Sequence, residues 1–379
     1  MKEKYLRIII YIAGLVCLYA FVAVRIFPLM NTVLYEKMDQ ETQDFNKYGD
    51  LYYFSCISEF REDYPPRVRK YRYSNDNPDI NEADILTYGD SFFDIIFTKS
   101  IPERISDTLN TRVYSYVTQD PTQANPFCLL GTANYQPGDS PKYFIYETVE
   151  RNIPVKFSQE YAVNCEAPVS DGFSRVYDGL LNIIFRKNSE NLYEVMLKQS
   201  FFTHRVYSGI ASLKFNFFGY ISPLTSKYRT GDSPWLFYDK EYGTDPGNFY
   251  YQYTDAEISS FADNIVRLKN SLMEQYKLEL VFLPIPNKYS LYHKVINNDP
   301  YNGFLPGLFK ELDKRQVCYV DVYHEFKNHP EPLYYGTDTH WNSKGIDIAL
   351  NLMLEKMDVH HSLSLNKSID PGNSIHLTD

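Results

Sequence analysis

Two short stretches of this sequence combine residue types that can carry out acyl chemistry. Gly89-Asp90-Ser91 follows the apolar run ILTY and leads into the apolar run FFDIIF. A serine placed there sits at the carboxyl end of a strand, where α/β sheets bind ligands. It also opens a helix whose unpaired N–H groups suit a developing oxyanion. The competing reading is an ordinary N-cap serine, and the tripeptide alone does not separate the two. Gly138-Asp139-Ser140 and Gly231-Asp232-Ser233 repeat it, but both run into proline and read as turns. The second stretch is Tyr335-Gly336-Thr337-Asp338-Thr339-His340-Trp341-Asn342, a loop just ahead of the last helical pattern. In an extended loop Asp338 and His340, two residues apart, point to the same side. Asp338 can then fix the imidazole tautomer and leave the other ring nitrogen to face the Ser91 hydroxyl. The bland alternative is a surface loop with one histidine. Of the other histidines, His204, His293, His324, His329, His360, His361 and His376, none has a carboxylate at this spacing beside a helix start. A metal cluster is not expected for the same reason, and neither is a cofactor.

Bringing Ser91 to His340 requires an α/β body. Strand-like runs occur at 83–88, 112–117, 142–149, 278–285 and 317–323. Several are apolar without strict alternation, as befits strands covered on both faces. Helical patterns separate them: FFDIIFTKSIPERISDTL after the first, AEISSFADNIVRLKNSLMEQY before the fourth, and IDIALNLMLEKM near the end. The expectation is a three-layer α/β/α fold on a parallel sheet of about five strands, with a helical insertion at about 155–235. Residues 31–80, polar and rich in Tyr, Asp and Asn, read as a leader with one short helix; residues 81–358 read as the α/β body, and 359–379 as an unstructured tail.

Length and charge set the remaining bounds. The chain has 379 residues and a formal net charge of −10, which argues against a nucleic-acid backbone binder. The 35 tyrosines and 25 phenylalanines could stack on sugars, although most such rings belong in a core. Residues 8–24 form an uncharged apolar run, preceded by Lys2, Lys4 and Arg7 and followed by Arg25. That run is just long enough to cross a bilayer, and the basic flank favours a cytoplasmic amino terminus. Residues 1–30 are therefore expected as an uncleaved single-pass anchor, with the body in the periplasm or outside the cell. Cys56, Cys128, Cys165 and Cys318 would then lie where disulfides are permitted; three pairings are open, and buried thiols are as plausible.

These residues resemble a known family. The strand-Gly-Asp-Ser turn and the carboxy-terminal Asp-x-His loop are similar to those of the SGNH hydrolase superfamily, serine esterases and acyltransferases on a flavodoxin-like sheet. Asp338-Thr339-His340-Trp341 further resembles the DxHW signature of alginate O-acetyltransferases of the AlgJ and AlgX type. Gly89 to Phe92, Glu147 with Glu150-Arg151, Trp235-Leu236-Phe237, Pro284 to Lys288 and the stretch VCYVDVYHEF look like further pieces of that family. The order differs: here the serine block leads and the DxHW block comes last, as in a circular permutation of the family's layout. The usual oxyanion asparagine is replaced by the Glu147–Arg151 segment, and the layout is closer to the membrane-anchored, single-domain relatives.

The resemblance implies transfer of an acetyl group through Ser91, with His340 as base and Asp338 as its partner. Phe92, Arg151, Trp341 and Lys288 are the oxyanion or substrate candidates. Arg151 and Lys288 would orient loops near Ser91, while Glu147, Glu150 and Lys288 read more readily as structural ion-pair residues. Trp341 either walls an acetyl pocket or packs the loop. A polysaccharide acceptor and a multi-span membrane O-acyltransferase that supplies acetyl are the implied partners, with the membrane reached through the N-terminal helix and no role for nucleic acid. A carbohydrate esterase, or a non-catalytic polysaccharide-binding subunit, are the alternatives.

Overall fold

A computed structural model describes residues 10–12, 14–15, 49–62, 78–93, 99–118, 125–139, 142–159, 161 and 201–368. Of the expected anchor run 8–24 only 10–12 and 14–15 are among these residues, and 162–200 of the expected insertion lie outside them. Among the described residues no helix is long and apolar enough to cross a membrane.

The chain divides into two compact units. The smaller comprises 1–48, 56–58 and 168–220. Its longest described element is the helix Phe201–Phe218, on which the Ser212 hydroxyl accepts the Ser58 N–H at 2.9 Å. The larger unit carries the sheet and every candidate site residue.

Four parallel strands form that sheet: β1 (Ile85–Gly89), β2 (Val113–Val117), β3 (Lys142–Val149) and β6 (Leu278–Ile285), in the order β2-β1-β3-β6. A two-stranded antiparallel ribbon, β4 (Lys227–Arg229) and β5 (Trp235–Phe237), stands apart, joined through the Gly231-Asp232-Ser233 turn. The fifth expected strand shrinks to one parallel bridge, Phe282 to Tyr319, beside β6. The cause lies two residues on: the Asp321 carboxylate accepts the His324 N–H at 3.0 Å and caps a helix that opens at Val322.

Alternation along each strand feeds two cores. On one face Leu86, Tyr88, Phe144, Tyr146, Leu280 and Phe282 meet helix α6 (Asp255–Tyr276) and helix α8 (Phe304–Lys314). On the other, Ile85, Ile145, Val281 and Leu283 meet α2 (Ile101–Leu109), α9 (Val322–Asn328) and α10 (Ser343–Ser368). Both faces are covered, as a parallel sheet requires. Tyr116, Tyr88, Tyr146 and Phe282 occupy neighbouring registers, and their rings stack in a row 5.4, 5.3 and 6.2 Å apart. Tyr88, Tyr146 and Phe282 are buried core residues, and the row reaches the surface at Tyr116.

Three expectations change. Over the described residues the helix expected after Ser91 is a 3-10 turn at Ser91–Phe93 and then α2 from Ile101, and residues 94–98 lie outside them. Ser100 and Glu103 make a reciprocal capping box, with Pro102 in the first turn, which fixes the start at that point. The last helix continues through Ser368, into the expected tail. Part of the expected leader belongs to the body: helix α1 (Asp50–Ser55) packs on the loop that carries His340, and the Tyr52 N–H donates to the Thr337 carbonyl at 3.1 Å. Cys128 is disulfide-bonded, whereas Cys56 and Cys318 are buried thiols. Cys165 lies outside the described residues.

Candidate active site

Ser91 follows β1 at the carboxyl end of the sheet, beside the boundary at which chain order reverses between β1 and β3. The turn that presents it is tight. A Cβ on Gly89 would collide with Glu147 Oε2 and would lie 2.8 Å from both Glu147 Cβ and Phe93 Cδ2. Glycine is therefore required there by close approach rather than by its backbone angles. Glu147, fully buried on β3, accepts the Asp90 N–H at 2.6 Å. Burial, reinforced by the Asp90 charge, holds the Glu147 carboxyl well above its ordinary range. Lys156 lies nearby on helix α4 (Ile153–Phe157), its ammonium 5.3 Å from the Tyr146 ring centre, and burial lowers its pKa.

The expected oxyanion donors at the helix start are engaged elsewhere. The Phe92 N–H donates to Asp90 Oδ1 at 3.2 Å, and the Phe93 N–H to the Asp90 carbonyl at 3.1 Å. An aspartate directly before the serine closes this local turn on itself. Those bonds do not involve the Ser91 amide, which is the remaining candidate donor of this turn. The Phe92 side chain is buried, its ring 4.9 Å from the His340 ring and 5.1 Å from Trp341.

Across the cleft, His340 Nε2 lies 2.7 Å from Ser91 Oγ, and His340 Nδ1 lies 2.6 Å from Asp338 Oδ1. The same Asp338 oxygen accepts the His340 backbone N–H at 2.8 Å, and Asp338 Oδ2 accepts the Asp50 N–H at 3.1 Å. Burial pushes the Asp338 pKa up, but the His340 ring and these donors outweigh it and bring it to about 2. Asp338 is thus a carboxylate at any pH near neutrality. The loop is fixed from below by Lys288, which is fully buried at the start of α7 (Lys288–Tyr292). Its ammonium donates to the carbonyls of Leu236, Gly336 and Asp338 at 2.9, 2.6 and 3.0 Å, and rests on the rings of Trp235 and Phe237. Lys288 is a clamp on the loop, not an ion-pair residue and not a group that faces a ligand. Burial lowers its pKa to about 8.

Trp341 is wholly buried among Phe92, Phe326 and Tyr334, so it packs the loop and does not wall a pocket. Arg151 lies against the Tyr238 ring and pairs with buried Glu241 at 3.4 Å. Glu150 accepts the Asn287 N–H at 2.8 Å and the Tyr301 hydroxyl at 2.7 Å. Burial raises the Glu150 pKa to about 7.

Two residues around His340 had no signal in the sequence. Asp50 accepts the Thr339 N–H at 2.8 Å and also the Thr339 hydroxyl, and Glu62 accepts the Thr337 N–H and hydroxyl at 3.1 and 3.0 Å. Both belong to a polar segment more than 270 residues away in the chain, without periodicity to mark them. Asp50, Asp338 and His340 also offer ligand atoms within 4.8 Å of one another. The hydrogen bonds just described already account for their proximity.

A serine after the first strand of a parallel α/β sheet, in line with an Asp–His pair from the loop before the last helix, has the geometry of an SGNH hydrolase-like protein. Residues 229–363 match the family model described as the SGNH hydrolase-like domain of the acetyltransferase AlgX, and over that stretch the resemblance read from the sequence is borne out. The match contains the WLF ribbon, Lys288 and the Asp338–Trp341 loop; Ser91 lies ahead of it, as the inverted order of blocks entails. Neither the curated proteins nor the solved structures include a match to this chain.

Proposed function

We propose that this protein is a serine O-acyltransferase that moves an acetyl group through an acyl-enzyme at Ser91 to a hydroxyl of a polysaccharide outside the cytoplasm. The observation that carries the reading is the Asp338–His340–Ser91 line, with heavy-atom separations of 2.6 and 2.7 Å, attached to an AlgX-type domain. In the first half-reaction His340 Nε2 takes the Ser91 proton as Oγ attacks the acetyl carbonyl. Asp338 stabilises the imidazolium, and the Ser91 amide is the donor for the oxyanion. Collapse expels the donor's alkoxide, which takes the proton back from His340. In the second, His340 deprotonates a sugar hydroxyl, which attacks the acetyl-serine and regenerates Ser91.

Water in place of the sugar would give an esterase with the same residues, so acceptor binding separates the two. The disulfide at Cys128 supports an oxidising compartment, and the basic-flanked run at 8–24 supports a membrane anchor. If acetyl derives from the cytoplasm, a multi-span membrane acyltransferase must hand it across. Intact-mass analysis after exposure to an activated acetyl ester tests the reading. Wild type should gain one acetyl group that Ser91→Ala and His340→Ala lack, and an added oligosaccharide should remove it as acetylated sugar. An adduct that persists in Ser91→Ala would sink the acyl-enzyme.

A further inference from the structure

The His340 ring is flanked by two carboxylates, and the mechanism above uses one. Asp50 Oδ2, which also accepts the Thr339 hydroxyl, lies 3.8 Å from His340 Nδ1, and the Asp50 side chain is 32% exposed. The contact is built rather than incidental. The Asp50 N–H donates to Asp338 Oδ2, and the Asp50 carboxylate accepts the Thr339 N–H and hydroxyl. A single residue at the start of α1 therefore grips both neighbours of the imidazole. Ionised Asp50 stands close to ionised Asp338, an arrangement that burial and like charge penalise; both raise the Asp50 pKa. A positive charge between them offsets the penalty, and an imidazolium at His340 is such a charge.

We propose that Asp50 is a positioning residue that makes His340 a stronger base, the second carboxylate of the Asp338–His340 pair. The inference rests on the proposed acyl transfer for its purpose, not for its measurement. Other charged groups face this cluster: Lys288 from beneath the Asp338 carbonyl, Glu241 from the turn Asp239–Glu241, Glu62 at Thr337, and Asp90 beside Ser91. Lys288 opposes an imidazolium and the carboxylates favour it. Asp50 is the nearest of them to Nδ1 after Asp338, so its charge should have the largest removable effect.

Asp50→Asn can still accept from Thr339 through its amide oxygen but loses the charge. The imidazolium then loses stabilisation, and the His340 pKa falls by about one unit. A general base works in its neutral form, so the acid limb of Ser91 acetylation should move to lower pH by the same amount, while the rate on the plateau falls roughly threefold, because the proton is only partly transferred in the transition state. A role in loop packing alone would lower the rate without moving the limb.

The test is a titration of the His340 imidazole by NMR in full-length, histidine-labelled protein, assigned with His340→Ala, alongside the pH profile of Ser91 acetylation by p-nitrophenyl acetate. Asp50→Asn should lower the imidazole pKa, and Asp50→Glu, which keeps the charge, should retain the wild-type titration. An unchanged pKa in Asp50→Asn, or an equal drop in Asp50→Glu, overturns the proposal. If the asparagine variant does not fold, Asp50→Ser, which also removes the charge, takes its place and is read against Asp50→Glu with the same two outcomes. Absence of Ser91 acetylation in wild type would defeat the acyl-transfer reading, and the NMR titration would still judge Asp50 by itself.

Discussion

The serine side and the histidine side of the cleft are held by different physics. Ser91 is positioned by steric exclusion: Gly89 leaves room for a buried glutamate, and that glutamate takes the Asp90 N–H. Few bonds are involved, and the charges behind the turn are poorly matched, with Glu147 Oε1 and Lys156 Nζ both buried without a hydrogen-bond partner among the described residues. His340 is positioned by saturation instead. Its loop is tied by Lys288 from α7, Asp50 from α1 and Glu62, each making two or more bonds. A sterically set turn tolerates no added atom. A loop set by many bonds can lose one and yield gradually.

Gly89→Ala should therefore be the most damaging change that leaves the reacting groups in place. Its Cβ meets Glu147 and Phe93, which are themselves packed and unable to retreat. Overpacking of this kind costs about 1–3 kcal/mol in stability. A displacement of Ser91 by about 1 Å costs on the order of 100-fold in rate. Denaturant unfolding and the acetyl-ester assay measure the two effects. Wild-type acetylation by the alanine variant would mean that the serine side is softer than the histidine side, reversing the comparison.

Lys288→Met tests the other half. It withdraws three donors from buried carbonyls, which individually cost about 1 kcal/mol or more. It also relieves the desolvation of a buried ammonium, and methionine fits against Trp235 and Phe237. The net loss should be about 2 kcal/mol, with acetylation slowed roughly tenfold because Asp50 and Glu62 still hold the loop. Thermal unfolding and initial rates decide it. A rate loss as severe as that of Gly89→Ala would make Lys288 the sole keystone of the loop rather than one tie among three.

How much of this could be read from sequence follows the same division. Strands β3 and β6 lie where their apolar runs place them, because strands covered on both faces are continuous in sequence. Ser91 and His340 were legible because a strand end and a short Asp-x-His spacing are local patterns. The 3-10 turn at Ser91–Phe93 was not, since Asp90 draws the Phe92 and Phe93 N–H groups into a local turn, while the start of α2 is set by the Ser100–Glu103 capping box. Asp50 and Glu62 were invisible for a different reason. They act on residues 289 and 275 positions away, and no spacing rule reaches that far.

The smallest effect on activity is expected at Glu150, which ties the two sides together. It directly follows the strand that carries Glu147 and holds the Asn287 N–H, one residue before Lys288. Burial raises its pKa from 4.5 to about 7. Between those values the folded protein binds more protons than the unfolded chain, so stability falls as pH rises through that window. The contribution is fully present below about 4.5 and is lost above about 7. Glu150→Gln keeps an acceptor for Asn287 and removes the titration. Its unfolding free energy should therefore lose up to one proton's worth of pH dependence across the window, and at pH 8 it should match or exceed wild type. Acetylation at that pH should stay within about twofold, because Lys288 keeps its three carbonyls. Urea unfolding from pH 4.5 to 8 measures the slope directly. An unchanged slope would mean that Glu150 is ionised throughout, with Tyr301 and the Asn287 amide enough to offset its burial.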